Sequence, residues 1–429
     1  MRQVRESPPR VAAVGASDNG SRADGPGPRR RPRPAVPLWS RTVGPAFVAA
    51  VAYVDPGNVA TNMMAGSAYG TLLVWVVVSA SLFATLVQYL SAKLGLASGA
   101  TLPELCRERF RRPVTYLLWV QAECVAAATD LAEVLGGAIA LYILFGLPLP
   151  IGGLIVAILA LVILHVQTRG QRRFEVLTGA LFACVVIGFS TAAVAGAPGP
   201  AEIAGGLVPR FVDRESAVLA AGIVGATVMP HVIYLHSELI RARFGIVSSL
   251  ARRRRLLRGI RVDVAVAMAV AGVANVGLLI AAAGSLTGRE ILDIDGAYLG
   301  LRDLVSPTVA TLFAIGLFVS GLVSSSVGTY AGAVIMDGFL RVRVPLMLRR
   351  LVTLLPALII LLVGVDPTRA LVISQVVLSF GIPFALIPLV IFTRNRAVMG
   401  PLVNRRTTTA VAAVVGGLIV PVLAISTIV

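Results

Sequence analysis

The chain has 429 residues, of which 57% are hydrophobic and 14% charged, and its formal net charge is +17. A soluble protein carries about a quarter charged residues, so this composition excludes an ordinary soluble domain. Runs of about 20 apolar residues recur, each long enough to cross the hydrocarbon core of a membrane. A β-barrel is excluded too, because its strands give short alternating segments. We predict an all-α polytopic membrane protein.

Residues 1–37 differ from the rest of the chain in being rich in Pro, Gly, Ser and Arg, with little apolar content. This composition predicts a disordered basic cytoplasmic tail. No apolar segment precedes residue 38, so we do not expect a cleavable signal peptide. The transmembrane domain is predicted to cover residues 38–429.

Eleven apolar segments are predicted to span the membrane as helices. In chain order they cover residues 43–66, 71–92, 114–144, 150–167, 175–196, 217–240, 262–284, 308–338, 346–365, 370–392 and 408–428. The third is longer than a bilayer requires, which favours a tilted helix or one that projects from the membrane. An odd number of spans places the two termini on opposite sides.

The basic residues fall almost entirely on one side of this predicted topology. One side holds 33 of the 38 Lys and Arg residues and the other holds 5. The positive-inside rule places the first side, with the N-terminus, in the cytoplasm and the C-terminus outside. The basic charge therefore indicates orientation, and no nucleic-acid partner is expected. The run Arg252–Arg255 is interpreted as a topology anchor, with binding to anionic lipid headgroups as the alternative.

The first predicted span contains "DPGN" at residues 55–58, which breaks its helix in mid-membrane. Pro56 removes a backbone donor, and Gly57 relaxes the backbone. We expect one half-helix over 43–54 and a second that starts at Asn58. The released carbonyl groups must face protein, water or an ion, because lipid cannot bind them. Asp55 is costly at this depth unless it too has a partner.

The third span carries Glu123, Asp130 and Glu133, whose spacings of 7 and 3 place them on one helical face. Buried carboxylates of this kind mark proton or ion routes through a membrane. Arg349 and Arg350 are expected to pair with them from the cytoplasmic side, or else to act as positive-inside anchors.

The sixth span contains "GATVMPHVIYLHSEL" at residues 225–239, with Pro230 near its middle. Pro56 and Pro230 lie 174 residues apart, at matching positions if two five-span repeats cover about 43–196 and 217–392, with an extra helix at about 408–428. A repeat with an odd number of spans must be inverted in the membrane. Paired broken helices in inverted repeats predict a transport site at the bilayer midplane.

The residues around the two breaks offer a mixed set of donors. Asp55 has a carboxylate, Asn58 an amide oxygen one turn away, and the breaks release carbonyls near Ala52 and Ala226. Met229 adds a soft thioether, which has little attraction for Mg²⁺ or Ca²⁺ and more for transition metals. One sulfur among oxygens predicts a site for Mn²⁺, Fe²⁺ and similar ions.

Three further polar residues lie in apolar helices. Gln375, in the tenth span, is interpreted either as one more oxygen donor or as an inter-helix hydrogen-bonding residue. His231 and His236, in the sixth span, titrate near neutral pH when unperturbed. We favour His231 as proton-linked because it follows the break directly, and His236 less strongly.

Four segments together resemble the Nramp family of proton-coupled divalent metal transporters, most closely its bacterial manganese-transporting branch. They are "DPGN" at 55–58, "GATVMPHVIYLHS" at 225–237, "GLVSSSVGTYAGAVIMDGF" at 321–339 and "SQVVLSFGIPFAL" at 374–386. The resemblance covers roughly residues 38–428 and leaves out the N-terminal tail. Glu238, directly after "YLHS", departs from the family pattern, and both an effect on proton exit and a pairing with Arg241 or Arg243 stay open.

The resemblance implies a LeuT-like fold, with two inverted five-helix repeats whose helices 1 and 6 are broken. It implies a secondary active transporter in the plasma (inner) membrane that imports Mn²⁺ or Fe²⁺ with protons and excludes Mg²⁺ and Ca²⁺. The implied metal ligands are Asp55, Asn58, Met229, Ala52, Ala226 and Gln375. The implied proton pathway comprises Asp130, Glu133, His231, Glu123, His236, Arg349 and Arg350. The metal is substrate, so no cofactor, no enzymatic activity and no obligate protein partner is expected.

Three other functions stay open on the residues alone. The first is a symporter of the same fold that carries an organic solute with Na⁺ held at Asp55, against which the sulfur of Met229 argues. The second is a membrane enzyme that uses a bound metal, for which the sequence shows no metal-ligand His or Cys pair. The third is a metal sensor that does not transport.

Overall fold

A computed structural model describes residues 44–195, 197–287, 293–342 and 344–416. The predicted tail at 1–37 lies outside these ranges, as does most of the eleventh predicted span. Within them, regular structure is entirely helical. The helices are α1 (Pro45–Ala52), α2 (Pro56–Tyr69), α3 (Val74–Ser98), α4 (Leu102–Arg109), α5 (Arg112–Phe145), α6 (Leu149–Thr168), α7 (Gln171–Ala195), α8 (Pro200–Gly205), α9 (Arg214–Thr227), α10 (Pro230–Phe244), α11 (Leu250–Ser285), α12 (Ile294–Leu304), α13 (Pro307–Leu340), α14 (Leu346–Val363), α15 (Pro367–Arg394), α16 (Arg396–Met399) and α17 (Arg406–Val414).

Eight helical segments in the described ranges are long and apolar enough to cross a membrane. They are α3, α5, α6, α7, α9 with α10, α11, α13 and α15. The first predicted span is absent from this set because its break leaves helices of 8 and 14 residues. Helix α14 covers the ninth predicted span, and α17 covers the beginning of the eleventh. The count of eleven stays a prediction.

Helix α11 begins twelve residues before the predicted seventh span at 262–284. Ser249 accepts a hydrogen bond from the backbone N–H of Arg252 and so caps this early start. Its 36 residues give a length of about 54 Å, against a hydrocarbon core of about 30 Å. Apolar composition marks only the part of a helix that lies in lipid, and so the sequence did not locate this extension.

The two broken helices lie at the centre of the bundle. Helix α13 packs along α5 and α7, α11 packs on α2 and α3, and α15 packs on α9 and α5. Both breaks are therefore enclosed by unbroken helices, and their residues from Ala52 to Asn58 and from Ala226 to His231 are buried.

Polar contacts hold the two far ends of the first broken helix, the end of α2 and the start of α1. Tyr69, the last residue of α2, donates a hydroxyl hydrogen bond of 2.8 Å to Asp213, which caps α9. The backbone N–H of Ser216 and this hydroxyl hold the pKa of Asp213 below its usual range. At the opposite end, Asp263 of α11 accepts hydrogen bonds from the backbone N–H groups of Gly44 and Ala46, at 3.2 and 3.1 Å. These two contacts tie both ends of the first broken helix to neighbouring helices.

Helix α5 approaches the first break closely at Gly136. A Cβ at this position would overlap the ring of Pro56. Since Pro56 is fixed at the first turn of α2, only a residue without a side chain allows this contact.

We expect Gly136→Ala to destabilise the fold by about 1–3 kcal/mol, because the methyl group forces α5 away from Pro56. Gly179→Ala in α7 is the matched control, since a Cβ there meets nothing within 4 Å. Alanine also has the higher helix propensity, so the control should be neutral or slightly stabilising. Thermal unfolding of the purified variants in detergent would measure both, and equal melting temperatures would contradict the proposed close contact.

Candidate metal site

Two prolines release backbone carbonyls at corresponding points of the broken helices. In an α-helix the carbonyl of residue i accepts from the N–H of residue i+4, and proline has no N–H. Pro56 therefore leaves the carbonyl of Ala52 without its helical donor, and Pro230 does the same for Ala226. Both alanines are fully buried. The two released oxygens are the first polar components of the site.

Asp55 begins the second half of the first broken helix. Its backbone is extended, and its Oδ1 accepts hydrogen bonds of 2.8 Å from both the backbone N–H and the side-chain amide of Asn58. A carboxylate at the N-cap followed by proline is a favoured helix start, and it also benefits from the helix dipole. Within the described part of the chain, Oδ2 of Asp55 is buried and accepts no hydrogen bond. One carboxylate oxygen is thus fixed and the other is available to a ligand.

The side chain of Asn58 connects the two broken helices. Its amide nitrogen donates to Asp55 Oδ1 and to the carbonyl of Ala226, both at 2.8 Å, while its oxygen accepts from the hydroxyl of Thr227 at 3.3 Å. The predicted amide oxygen is therefore turned toward Thr227, away from the carboxylate. The reason is electrostatic, because two acceptors face each other across the breaks and the NH₂ group satisfies both.

Met229 and Gln375 complete the set of predicted ligands around the breaks. Met229 is fully buried in the short segment between α9 and α10. Gln375 of α15 packs against Gly57, where a Cβ would overlap its amide, so the DPGN segment needs glycine for this approach. Among the described residues, no donor reaches Oε1 of Gln375, although its Nε2 donates to Ser374 at 3.1 Å.

Sequence reasoning missed two residues that bind other carbonyls of the first break, and a third that binds one of these two. Ser320 of α13 donates to the carbonyl of Val54. Asn275 of α11 donates to the carbonyl of Tyr53 at 2.7 Å and accepts from Asn62 at 3.4 Å. Lone polar residues in apolar spans were the available signal, but the sequence does not show which of them face the break. The neighbouring carbonyls of Tyr53 and Val54 thus accept hydrogen bonds from side chains, and in the described part of the chain no such contact is found for the carbonyl of Ala52.

The acidic residues of α5 are paired with the two arginines of α14. Arg349 lies 2.9 Å from Glu123, and Arg350 lies 3.3 Å from Asp130. Glu133 has no hydrogen-bond partner among the described residues. It lies next to Asp130, because a Cβ at Gly328 would be 2.9 Å from a Glu133 oxygen and 3.2 Å from an Asp130 oxygen. Asp130 and Glu133 therefore form one buried group, and the partly exposed Glu123 belongs to the neighbouring ion pair with Arg349.

The two histidines of α10 have different neighbours. Nδ1 of His231 is 3.3 Å from the hydroxyl of Thr129, the residue before Asp130. Nδ1 of His236 is 2.7 Å from Gln88 of α3, whose amide donates to the hydroxyl of Tyr53. His231 thus lies beside the acidic face without a hydrogen bond to it, and His236 connects to the first break from the other side.

Glu238, left open above, is paired with Arg241. Its carboxylate lies 2.6 Å from the Arg241 guanidinium, which also lies 2.8 Å from Glu104. The three side chains form an ion-pair cluster at the predicted cytoplasmic end of α10. This contact resolves the pairing in favour of Arg241.

No cluster of three or more His, Cys, Asp or Glu side chains that could hold a metal occurs in the described ranges. A metal at the breaks would instead meet one carboxylate together with amide, carbonyl and thioether donors. Such a set neutralises less charge than a cluster of carboxylates or thiolates.

Comparison with known proteins adds relatives to this geometry. The model of the family described as natural resistance-associated macrophage protein-like, or Nramp, matches residues 46–429. The chain is 56% identical over 375 residues to the divalent metal cation transporter MntH of Mycobacterium tuberculosis, covering 87% of this chain and 88% of the relative.

Solved structures show the same fold. A crystal structure of the manganese transporter of Eremococcus coleocola aligns with 91% of this chain and 85% of its own length, at a TM-score of 0.79 and 32% identity. A transporter of the nucleobase-cation-symport-1 family aligns with 90% of both chains at a TM-score of 0.59 and 13% identity, which is likeness of fold alone. The expected LeuT-like fold is confirmed.

We expect Ser320→Ala to cost about 1–3 kcal/mol of stability, because it leaves the buried carbonyl of Val54 unpaired. Ser379→Ala in α15 is the matched control, since Ser379 is also buried and donates to a carbonyl of its own helix, that of Val376, at 2.6 Å. Melting temperatures in detergent would separate the two variants. A loss of stability in Ser379→Ala as large as in Ser320→Ala would contradict the role of Ser320 at the break.

Proposed function

The chain belongs to the Nramp family, whose members are membrane metal transporters rather than enzymes, and we propose that it is a proton-coupled importer of divalent transition metals. The observation that carries this proposal is the pair of proline breaks, which brings Asp55 and Asn58 of one helix to the released carbonyl of Ala226 in the other. Substrates would be Mn²⁺, Fe²⁺ and similar ions, with Mg²⁺ and Ca²⁺ excluded.

The proposed ligands are Asp55, Asn58, Met229, Gln375 and the carbonyls of Ala52 and Ala226. The buried, unpaired oxygens of Asp55 and Gln375 support this assignment. Half a turn of the Asn58 amide would exchange its NH₂ group for its oxygen at the position between Asp55 and Ala226. A cation bound between Asp55 and Ala226 would favour this rotation of the amide. The positive charge would then separate the two acceptors, as the NH₂ group does without the cation.

The thioether of Met229 is proposed to supply selectivity. Carboxylate, amide and carbonyl oxygens suit Ca²⁺ and Mg²⁺ as well as Mn²⁺. The buried sulfur of Met229 occupies one coordination position around the ion. A transition metal binds this sulfur, whereas a hard cation such as Ca²⁺ gains little from it and lacks an oxygen ligand at that position. The pocket would thus discriminate by penalising the wrong ion, which is specificity through an unfavourable contact.

Protons are proposed to move through Asp130 and Glu133 of α5 and His231 of α10. The ion pairs Glu123–Arg349 and Asp130–Arg350 support a route toward the predicted cytoplasmic side, since they extend the acidic face to α14. Glu133 lies nearest to the first break in this group, one turn of α5 from Gly136, which packs on Pro56. His236 is assigned a secondary role through Gln88 and Tyr53.

Transport would follow alternating access in the plasma membrane, with the N-terminus in the cytoplasm. Opening toward the outside requires the ends of α2 and α9 to separate, which breaks the Tyr69–Asp213 hydrogen bond. Opening toward the inside requires the start of α1 to leave Asp263. The metal and proton sites lie between these two contacts.

Asp55→Asn is expected to reduce Mn²⁺ uptake into proteoliposomes on the order of 100-fold or more, because it removes the one carboxylate from a buried cation site. Asparagine still caps a helix, so α2 should remain folded. The matched control is Asp293→Asn, where the aspartate likewise caps a helix, α12, but is solvent-exposed. Uptake by wild type should be accompanied by internal acidification.

Two results would contradict the proposed function. Mn²⁺ flux that persists in Asp55→Asn would remove the carboxylate from the site. Folded wild-type protein with no Mn²⁺ flux under any gradient would instead favour the sodium-coupled transport of an organic solute.

Met229→Ala is expected to change selectivity more than activity. We predict that the ratio of Mn²⁺ to Ca²⁺ uptake falls about tenfold, as for the loss of about 1.4 kcal/mol of discrimination. The matched control is Met63→Ala in α2, a buried methionine outside the two breaks. Competition between the two ions in the liposome assay measures this ratio, and continued exclusion of Ca²⁺ by Met229→Ala would rule out the role of the sulfur.

A further inference from the structure

An apolar groove lies outside the transport site, between α3, α7 and α11. It encloses about 670 Å³ and is almost entirely apolar. Its lining includes Leu82, Thr85, Ala193, Ala269, Gly272 and Val276. The groove is concave because α11 has small residues along it, such as Ala269 and Gly272. Larger side chains at these positions would fill it.

Three arginines continue the groove-lining face of α11 beyond its end. Arg254, Arg258 and Arg261 precede Ala265, Ala269 and Gly272 at spacings of three and four, so all six lie on one helical face. The arginines are exposed, and ion pairs to Arg254 and Arg258 are absent from the described residues. Arg252 and Arg255 point to other sides of the same helix.

The side chain of Arg261 is positioned at the mouth of the groove. Its guanidinium lies 5.3 Å from the ring centre of Tyr89 and donates to the Tyr89 hydroxyl at 3.2 Å. Tyr89 is one turn from Thr85, which lines the groove. Lys93, one turn further along α3, donates to Asn404 at 2.6 Å and adds another positive charge nearby. An aromatic residue with basic neighbours is typical of the membrane interface.

The part of the groove next to the arginines fits the depth of one leaflet's phospholipid. From Arg261 to Gly272, which lines the groove, the axis of α11 rises about 16 Å, close to half of a hydrocarbon core of about 30 Å. The positive-inside rule assigns the arginine end to the cytoplasm. An acyl chain in the groove would therefore carry its phosphate to the level of Arg261 and Arg258.

We propose that this groove binds one anionic phospholipid of the cytoplasmic leaflet, with an acyl chain along α11 and the phosphate on Arg258 and Arg261. The charge complementarity selects an anionic over a zwitterionic headgroup. General attraction of the arginine run to an anionic surface would also favour such lipids, but it would not depend on which face of α11 carries the charge.

The test uses native mass spectrometry of the full-length protein, with phosphatidylglycerol and phosphatidylcholine of identical acyl chains. Wild type should retain one phosphatidylglycerol in preference to phosphatidylcholine. Arg258→Gln/Arg261→Gln should weaken this binding about 30-fold. Arg252→Gln/Arg255→Gln removes the same charge from other faces and should leave binding unchanged. Equal losses in both double variants, or equal retention of both lipids, would overturn the proposal.

The groove itself is tested by Ala269→Phe, which fills it without touching the arginines. The control is Ala180→Phe, an exposed alanine of α7 that does not line the groove. Ala269→Phe should abolish the retained lipid and Ala180→Phe should not. Undiminished lipid in Ala269→Phe, or displacement of the lipid by millimolar glycerol phosphate, would mean a simple phosphate site and would overturn the acyl-chain part.

Discussion

The structure depends on one constraint, that a polypeptide inside a membrane must satisfy its own backbone polar groups. Pro56 and Pro230 each remove one N–H from a helix that otherwise meets this constraint, at positions 174 residues apart. Polar side chains bind several of the carbonyl groups at the two breaks. Ser320 and Asn275 bind the carbonyls of Val54 and Tyr53, and Asn58 binds that of Ala226. Among the described residues, Oδ2 of Asp55 and Oε1 of Gln375 remain buried without a hydrogen-bond donor.

The proposed metal and proton sites share helix α5 as a mechanical link. Gly136 of this helix packs against Pro56, and one turn earlier Glu133 belongs to the acidic group that Arg350 reaches through Asp130. On the proposed function, a change in charge on this group would alter its attraction to α14, and a cation at Asp55 would act on α2. Because Gly136 and Pro56 are in close contact, each change would be transmitted to the other helix. The proposed coupling between metal and proton would then need no shared ligand.

The sequence predicted the broken helices, the acidic face of α5 and its two arginines, since each has a strong local signal: proline in an apolar run, or charge where charge is costly. It did not predict Ser320 and Asn275, because a serine or asparagine in an apolar span has many possible partners. It also did not indicate the orientation of the Asn58 amide, since that orientation depends on Thr227 and Ala226 in a distant part of the chain. The early start of α11 was missed because hydropathy reports lipid contact and not helix length.

The contacts at the two ends of the first broken helix differ in chemistry. This difference affects the side of the membrane to which the protein opens more easily. The outer contact joins Tyr69 to Asp213, a carboxylate that also caps α9 and lies in water. The inner contact joins a buried carboxylate, Asp263, to two backbone N–H groups at the start of α1. Breaking the first exposes groups that water solvates readily, whereas breaking the second leaves a carboxylate and a helix N-terminus that must both find new partners. With the predicted orientation, the outer side should therefore open at lower cost, as the proposed import of metal would require.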